Sequence, residues 1–126
     1  MSPFIHSRIH AKRYGGKPED YADIDEFVDS SGYASADIRH RVVLHNSFGA
    51  YIAEQVFGKT RVNSEGKEYA VRQIVLDHIE QDLGFVPTLD NYLKNMQIQP
   101  WMSGTEKRAN PAKRFKKIEF NTTERN

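Results

Sequence analysis

Apolar residues recur at helical intervals through ADIRHRVVLHNSFGAYIAEQVFG, residues 36–58. At about 100° per residue, Ile38, Val42, Leu44, Phe48, Gly49, Ile52 and Val56 fall on one broad face. This predicts the longest helix of the chain over residues 35–57, with Ser35 as N-cap and Gly58 just past its end. Arg41 and His45 lie inside that apolar arc, Asp37 at its edge and His40 near the other border. A core-facing stripe ordinarily carries aliphatic residues. An ion pair broken in an interior costs about 3–5 kcal/mol, so charged residues placed there need partners.

The same reading predicts the other elements. Residues 3–14 form a short helix with Pro3 in its first turn and Gly15-Gly16 ending it. Pro18 opens a second short helix whose apolar face is Ile24, Phe27 and Val28, closed by Ser30-Ser31-Gly32. TRVNSEGKEYAV reads as a hairpin turning at Asn63–Gly66. A helix follows over residues 70–83, with Val71, Ile74 and Val75 on its stripe and His78 and Asp82 continuing it. Thr88 caps a last helix, TLDNYLKNM. The predicted fold is mainly α: a compact bundle of about five helices, one small β-hairpin and an extended basic C-terminal tail. Residues 1–104 would form the domain and 105–126 the tail.

Composition narrows the class. At 126 residues the chain is long enough for one self-supporting core. It has no cysteine, which rules out disulfides and thiolate metal sites. The N-terminal MSPFIHSRIHAKRYGG has no apolar signal-peptide stretch, and no run approaches the ~20 residues that span a bilayer. A cytoplasmic protein with no membrane association is expected. Net charge is +1 but uneven. Residues 105–126 hold seven bases against three acids, a net +4, whereas residues 1–104 hold 11 against 14, a net −3. Such a tail suits an acidic protein or nucleic acid, with Phe115 and Phe120 interleaved among its bases. A solvated extension is the alternative.

The candidate chemistry is His, Asp and Arg. His6 and His10, four apart on the first helix, have the spacing of helical metal ligands, although two exposed histidines on an amphipathic helix give the same pattern. Asp37, His40 and Arg41 are candidate catalytic residues: the carboxylate or imidazole to move a proton, the guanidinium to hold an anionic oxygen. His6, His45, His78 and Asp82, or Asp37 in the place of Asp82, are candidate ligands of a divalent metal ion, because two helices each place His and Asp on an otherwise apolar stripe. A metal-bound water would attack a phosphate ester or nucleotide, with Arg41 and Arg39 stabilising the phosphate. Asp20, Asp23, Asp25, Glu26 and Asp29 read as a solvated acidic face. The competing expectation is a non-enzymatic binding protein in which these polar residues form a structural network. Neither a triphosphate-cradling glycine loop nor a Gly-x-Ser-x-Gly elbow is present.

HSRIHAKRYGGKPEDY, ADIRHRVVLH, AEQVFG, NSEG, HIEQDLGFVPTLDNYL and PWM together resemble a family of small uncharacterised proteins of bacteria and tailed phages, grouped as a domain of unknown function. The resemblance covers most of residues 5–102 and leaves out the basic tail. Its matching positions are His6, Asp20, Asp37, Arg39, His40, Arg41, His45, Gly49, Glu54, His78 and Asp82, but not His10. It implies that this polar set belongs together, and it carries no activity.

Overall fold

The computed structural model describes residues 1–104. It falls into two units, Met1–Lys94 and Asn95–Asn126. The basic segment 105–126 lies outside the described residues. The first unit is mainly helical with one two-stranded antiparallel hairpin. In the second, the described residues carry a 3-10 turn at Pro100–Ser103. Among the described residues, no helix is long and apolar enough to cross a membrane.

Helix α1 spans Pro3–Tyr14, opened by the Ser2 side chain accepting from the Ile5 N–H. It ends where Gly15 adopts φ +93°, a left-handed conformation that favours glycine. The predicted second helix is divided. A 3-10 turn at Pro18–Asp20 precedes α2, Ala22–Asp29. The hairpin joins β1, Thr60–Val62, to β2, Glu68–Ala70, with Arg61 opposite Tyr69. Its turn is held by Asn63 Oδ1, which accepts from the N–H groups of Glu65 and Lys67 at 2.9 and 3.1 Å. Helix α4 spans Val71–Leu83, and α5, Leu89–Leu93, starts at the Thr88 cap.

The long helix expected over 35–57 is broken, and this is the main correction to the sequence reading. A 3-10 turn covers Ile38–Val42, and α3 begins only at Ser47 and runs to Phe57. Asn46 makes the break. Its Oδ1 accepts from Gly49 N–H at 2.8 Å, while its Nδ2 donates back to the Val42 carbonyl at 2.8 Å. The helical phase assumed across residues 37–45 is therefore lost. Ile38, Phe48 and Val56, expected in the core, are 64%, 47% and 56% exposed. The buried face of α3 is instead Gly49, Ala50 and Ala53. These small residues let α3 lie close against α4.

Tyr21, Ile24 and Val28 of the α2 region, Ala50 and Ala53 of α3, Tyr69 of β2, and Val71, Ile74, Val75 and Ile79 of α4 form the apolar core. Burying each aliphatic side chain contributes about 1.5–3 kcal/mol. That reserve matters here, because beside this core the fold also buries four histidines and several carboxylates, at a desolvation cost of several kcal/mol per ion.

Candidate metal centre

Helices α1, α2 and α4 pack pairwise, and the segment leading into α3 brings His45 against Asp29 of α2 and Asp82 of α4. Their inward positions are not all apolar. His6, Ser7 and His10 of α1, Asp25 of α2, His45 before α3, and Asp77 and His78 of α4 are buried. Asp82, one turn beyond His78, has a side chain only 1% exposed.

At the centre are four side chains from three parts of the chain: Asp29, His45, His78 and Asp82. His45 Nε2 lies 3.0 Å from Asp82 Oδ2 and 3.3 Å from Asp29 Oδ1. His78 Nε2 lies 3.4 Å from Asp82 Oδ2 and 3.2 Å from Asp29 Oδ1. The four ligand atoms all fall within 4.8 Å of one another, so this group could hold a metal ion. A tetrahedral ion with ligand bonds of about 2.0–2.1 Å has ligand–ligand edges of about 3.3–3.4 Å. Each of these four nitrogen–oxygen separations is within a few tenths of an ångström of such an edge.

The hydrogen bonds of His78 point the same way. His78 Nδ1 is 2.8 Å from Asp25 Oδ1, a carboxylate, so Nδ1 carries a proton. Its Nε2 then faces two further carboxylates. A lone pair aimed at two anionic oxygens is repulsive, so that position calls for a proton or a metal cation. With a proton there, burial would push the His78 pKa down, but hydrogen bonds to Asp25, Asp29 and Asp82 raise it to about 10. Asp82 and Asp29 show the reciprocal effect. Burial alone would push each up, yet imidazole hydrogen bonds hold both well below the usual carboxylate range.

The predicted residues divide between those that the fold gathers and those that it does not. His45, His78 and Asp82 meet at the centre. His6 arrives beside it. Its Nε2 is 3.1 Å from the other oxygen of Asp82, its Nδ1 is 2.7 Å from Gln81 Oε1, and its ring stacks on His78 with centroids 3.6 Å apart. Arg41 stands at the edge, its guanidinium 3.9 Å from Asp82 Oδ2. The His40 ring is 6.3 Å from that of His45, and its Nδ1 is 2.8 Å from Ser31 Oγ. Ser31 donates its proton to the His40 carbonyl at 3.0 Å, so Nδ1 is the donor to Oγ and Nε2 holds the lone pair.

Asp37 is not part of the centre. It caps the 3-10 turn from the surface and binds Arg39 through two hydrogen bonds of 3.1 and 2.7 Å. Those bonds hold its carboxyl at about 2. The helix break displaces it, because without a continuous 3.6-residue period Asp37 and His45 no longer share a face. His10, read as a ligand partner of His6 or as an exposed histidine, is buried; so is Asp25, read as solvated, and Asp29, read the same way, is one of the four. One signal could have found the two aspartates. Asp25 and Asp29 are four apart, each one position after Ile24 and Val28, and so flank the apolar stripe of α2. Glu54, also in the polar set, pairs with Arg72 at 3.2 and 3.0 Å.

Residues 1–102 match the family model described as a domain of unknown function, DUF6915. The chain belongs to that family. No curated protein and no solved structure matches it. The match takes in Asp29, His45, His78 and Asp82 and stops short of the basic segment.

Proposed function

We propose that the DUF6915 domain binds one divalent transition-metal ion between Asp29, His45, His78 and Asp82, and hydrolyses a phosphate ester or nucleotide there. The observation that carries this reading is the set of four nitrogen–oxygen edges of 3.0–3.4 Å between two imidazoles and two carboxylates. Mixed nitrogen and oxygen ligands favour zinc, manganese, iron or cobalt over calcium or magnesium. Four protein ligands close a tetrahedral site, so the ion would need a fifth position, on the exposed Asp29 side, to supply Lewis-acid polarisation of a phosphoryl oxygen and an activated water.

The remaining roles belong to the protein. Asp29 is the open side of the centre: its side chain is 25% exposed, against 0–1% for the other three. It lines a cavity of about 200 Å³ with Pro3, Glu26, Gly32 and Tyr33, which gives a substrate its approach. Arg41, 23% exposed, keeps enough freedom to turn from Asp82 to an anionic oxygen. His40, with Nε2 as its basic nitrogen, accepts or returns a proton at the rim.

The test is metal analysis of protein purified without chelator, beside a His45→Ala/His78→Ala double variant. It is followed by a phosphoesterase screen of the loaded protein. Near-stoichiometric metal lost in the variant, with turnover lost in parallel, supports the reading. A metal-free wild type, with variants that are only less stable, overturns it.

A non-enzymatic reading, of the phage-type binding kind, has one observation in its favour. Phe48 and Tyr51 stack at 5.7 Å on the exposed side of α3, a helix that also exposes Val56. Such a pair is a usual anchor for a macromolecular partner. Under this reading, deleting residues 105–126 abolishes salt-sensitive binding to an acidic protein or nucleic acid. A hydrolase would keep its turnover after the same deletion.

A further inference from the structure

Asp25 is a charge with no route to solvent. It is 0% exposed and lies inside a network drawn from three helices. Ser7 of α1 donates its hydroxyl to Oδ2 at 2.7 Å. His10 of α1 reaches Oδ1 through Nε2 at 3.0 Å, and His78 of α4 reaches the same oxygen through Nδ1 at 2.8 Å. An ionised carboxylate only accepts hydrogen bonds, so all three groups donate. His10 Nδ1 is buried without a partner. A lone pair left there costs less than a bare N–H, which fits donation from Nε2 alone.

We propose that Asp25 is a positioning residue of the metal centre: it fixes His78 in the tautomer protonated at Nδ1 and so aims the Nε2 lone pair at the ion. The inference rests on the metal-binding reading above. Asp25 does not touch the ion position, since its two oxygens are taken by Ser7, His10 and the far nitrogen of His78. It acts through His78, as the carboxylate of a carboxylate–histidine–metal triad does. Three further facts sharpen the geometry. The His78 ring plane is set by stacking on His6, at 20° between planes. His78 Nε2 then lies 3.2 Å from Asp29 Oδ1 and 3.4 Å from Asp82 Oδ2, the two carboxylates that would share the ion. And Asp25, one turn before Asp29 on α2, couples the orienting carboxylate and an ion-binding carboxylate to one rigid helix.

Zinc is the probe for the test. Its dissociation constant is measured by competition with a chromophoric chelator for the full chain, for Asp25→Asn and for Ser7→Ala. Asp25→Asn should weaken zinc about 10–100-fold, the usual effect of removing such a partner. Ser7→Ala leaves the carboxylate on His78 and should stay within about threefold. The cobalt-loaded forms add a second readout, because a reoriented His78 changes the visible ligand-field bands in Asp25→Asn. Should that variant not fold, ring-nitrogen NMR of the zinc-loaded wild type decides alone. Zinc on His78 Nε2 with a proton on Nδ1 supports the proposal, and zinc on Nδ1 overturns it. An unchanged zinc affinity and cobalt spectrum in folded Asp25→Asn also overturn it while leaving the centre intact. A wild type that takes up no zinc, cobalt or other divalent ion overturns the centre, and the Asp25 role with it.

Discussion

Gly49 stands against the carbonyl of Leu44 so closely that a Cβ built at residue 49 would lie 2.0 Å from that oxygen. The same Cβ would also lie 2.7 Å from the Leu44 carbonyl carbon and 2.9 Å from its Cα. All three neighbours are backbone, so no side-chain rotation relieves the clash. The contact exists because the chain folds back between the 3-10 turn and α3, directly beside His45.

Gly49→Ala is therefore expected to destabilise the protein. In an unconstrained helix the change would gain about 1 kcal/mol from propensity. Overpacking against fixed backbone costs about 1–3 kcal/mol or more, and the steric term should win here. A net loss of about 1–2 kcal/mol is expected in urea denaturation. Metal affinity should fall as well, since residues 44–46 must shift and carry His45 with them. A variant as stable as the wild type would show that Leu44 does not sit under Gly49.

Much of this architecture was legible, and the reasons it failed in places are physical. Helix α4 is legible because one uninterrupted 3.6-residue period runs from Val71 to Leu83, which also puts His78 and Asp82 one turn apart. The Thr88 cap and the Asn63–Gly66 turn were found from residues whose side chains act locally. Residues 35–57 misled because Asn46 resembles any polar residue on a helix until its two backbone hydrogen bonds are seen. Asp25 and Asp29 were hidden among the acids Asp20, Asp23 and Glu26. Their four-residue spacing places both beside the apolar stripe of α2, but which histidines they meet is set by how α1 and α4 pack against it.

The contrast between two aspartates tests this directly. Asp29→Asn should abolish tight metal binding, because it removes one charged ligand from the proposed four. Asp37→Asn retains a capping side chain on an exposed turn and should leave both metal content and the denaturation midpoint essentially unchanged. Metal analysis by mass spectrometry and a denaturation curve on each variant check both. Loss of metal with Asp37→Asn and not with Asp29→Asn would contradict the assignment.

The metal-free protein should respond to pH in a particular direction. His78 has a folded pKa raised from 6.5 to about 10. A raised folded value means that the native state holds the proton more tightly. The resulting stability is complete below about pH 6.5 and is lost as pH rises through about 10. Urea midpoints of chelator-treated protein should fall between about pH 7 and 10, by on the order of a few kcal/mol in free energy. His78→Gln should flatten that slope. On the acid side the sign reverses. Asp29 and Asp82 are depressed below 3.8, so their contribution is present above that value and disappears as pH falls beneath it. A metal-free protein whose midpoint rises toward pH 10 would rule out a shared proton at His78.

Asp82 carries the largest share of this network. Its Oδ1 accepts from His6 Nε2 at 3.1 Å, and its Oδ2 faces His45 Nε2 at 3.0 Å and His78 Nε2 at 3.4 Å, with Arg41 3.9 Å away. Asp82→Asn preserves shape but removes the charge and presents an amide N–H₂ to at least one ring N–H. The partners stay buried, so their desolvation is no longer offset. Breaking one side of such a buried arrangement costs about 3–5 kcal/mol. Metal-free Asp82→Asn should lose that much in denaturation experiments. Added zinc should raise the melting temperature of the wild type but not of the variant, because stabilisation by a ligand requires that the native state bind it. A variant rescued by zinc would place the ion away from Asp82.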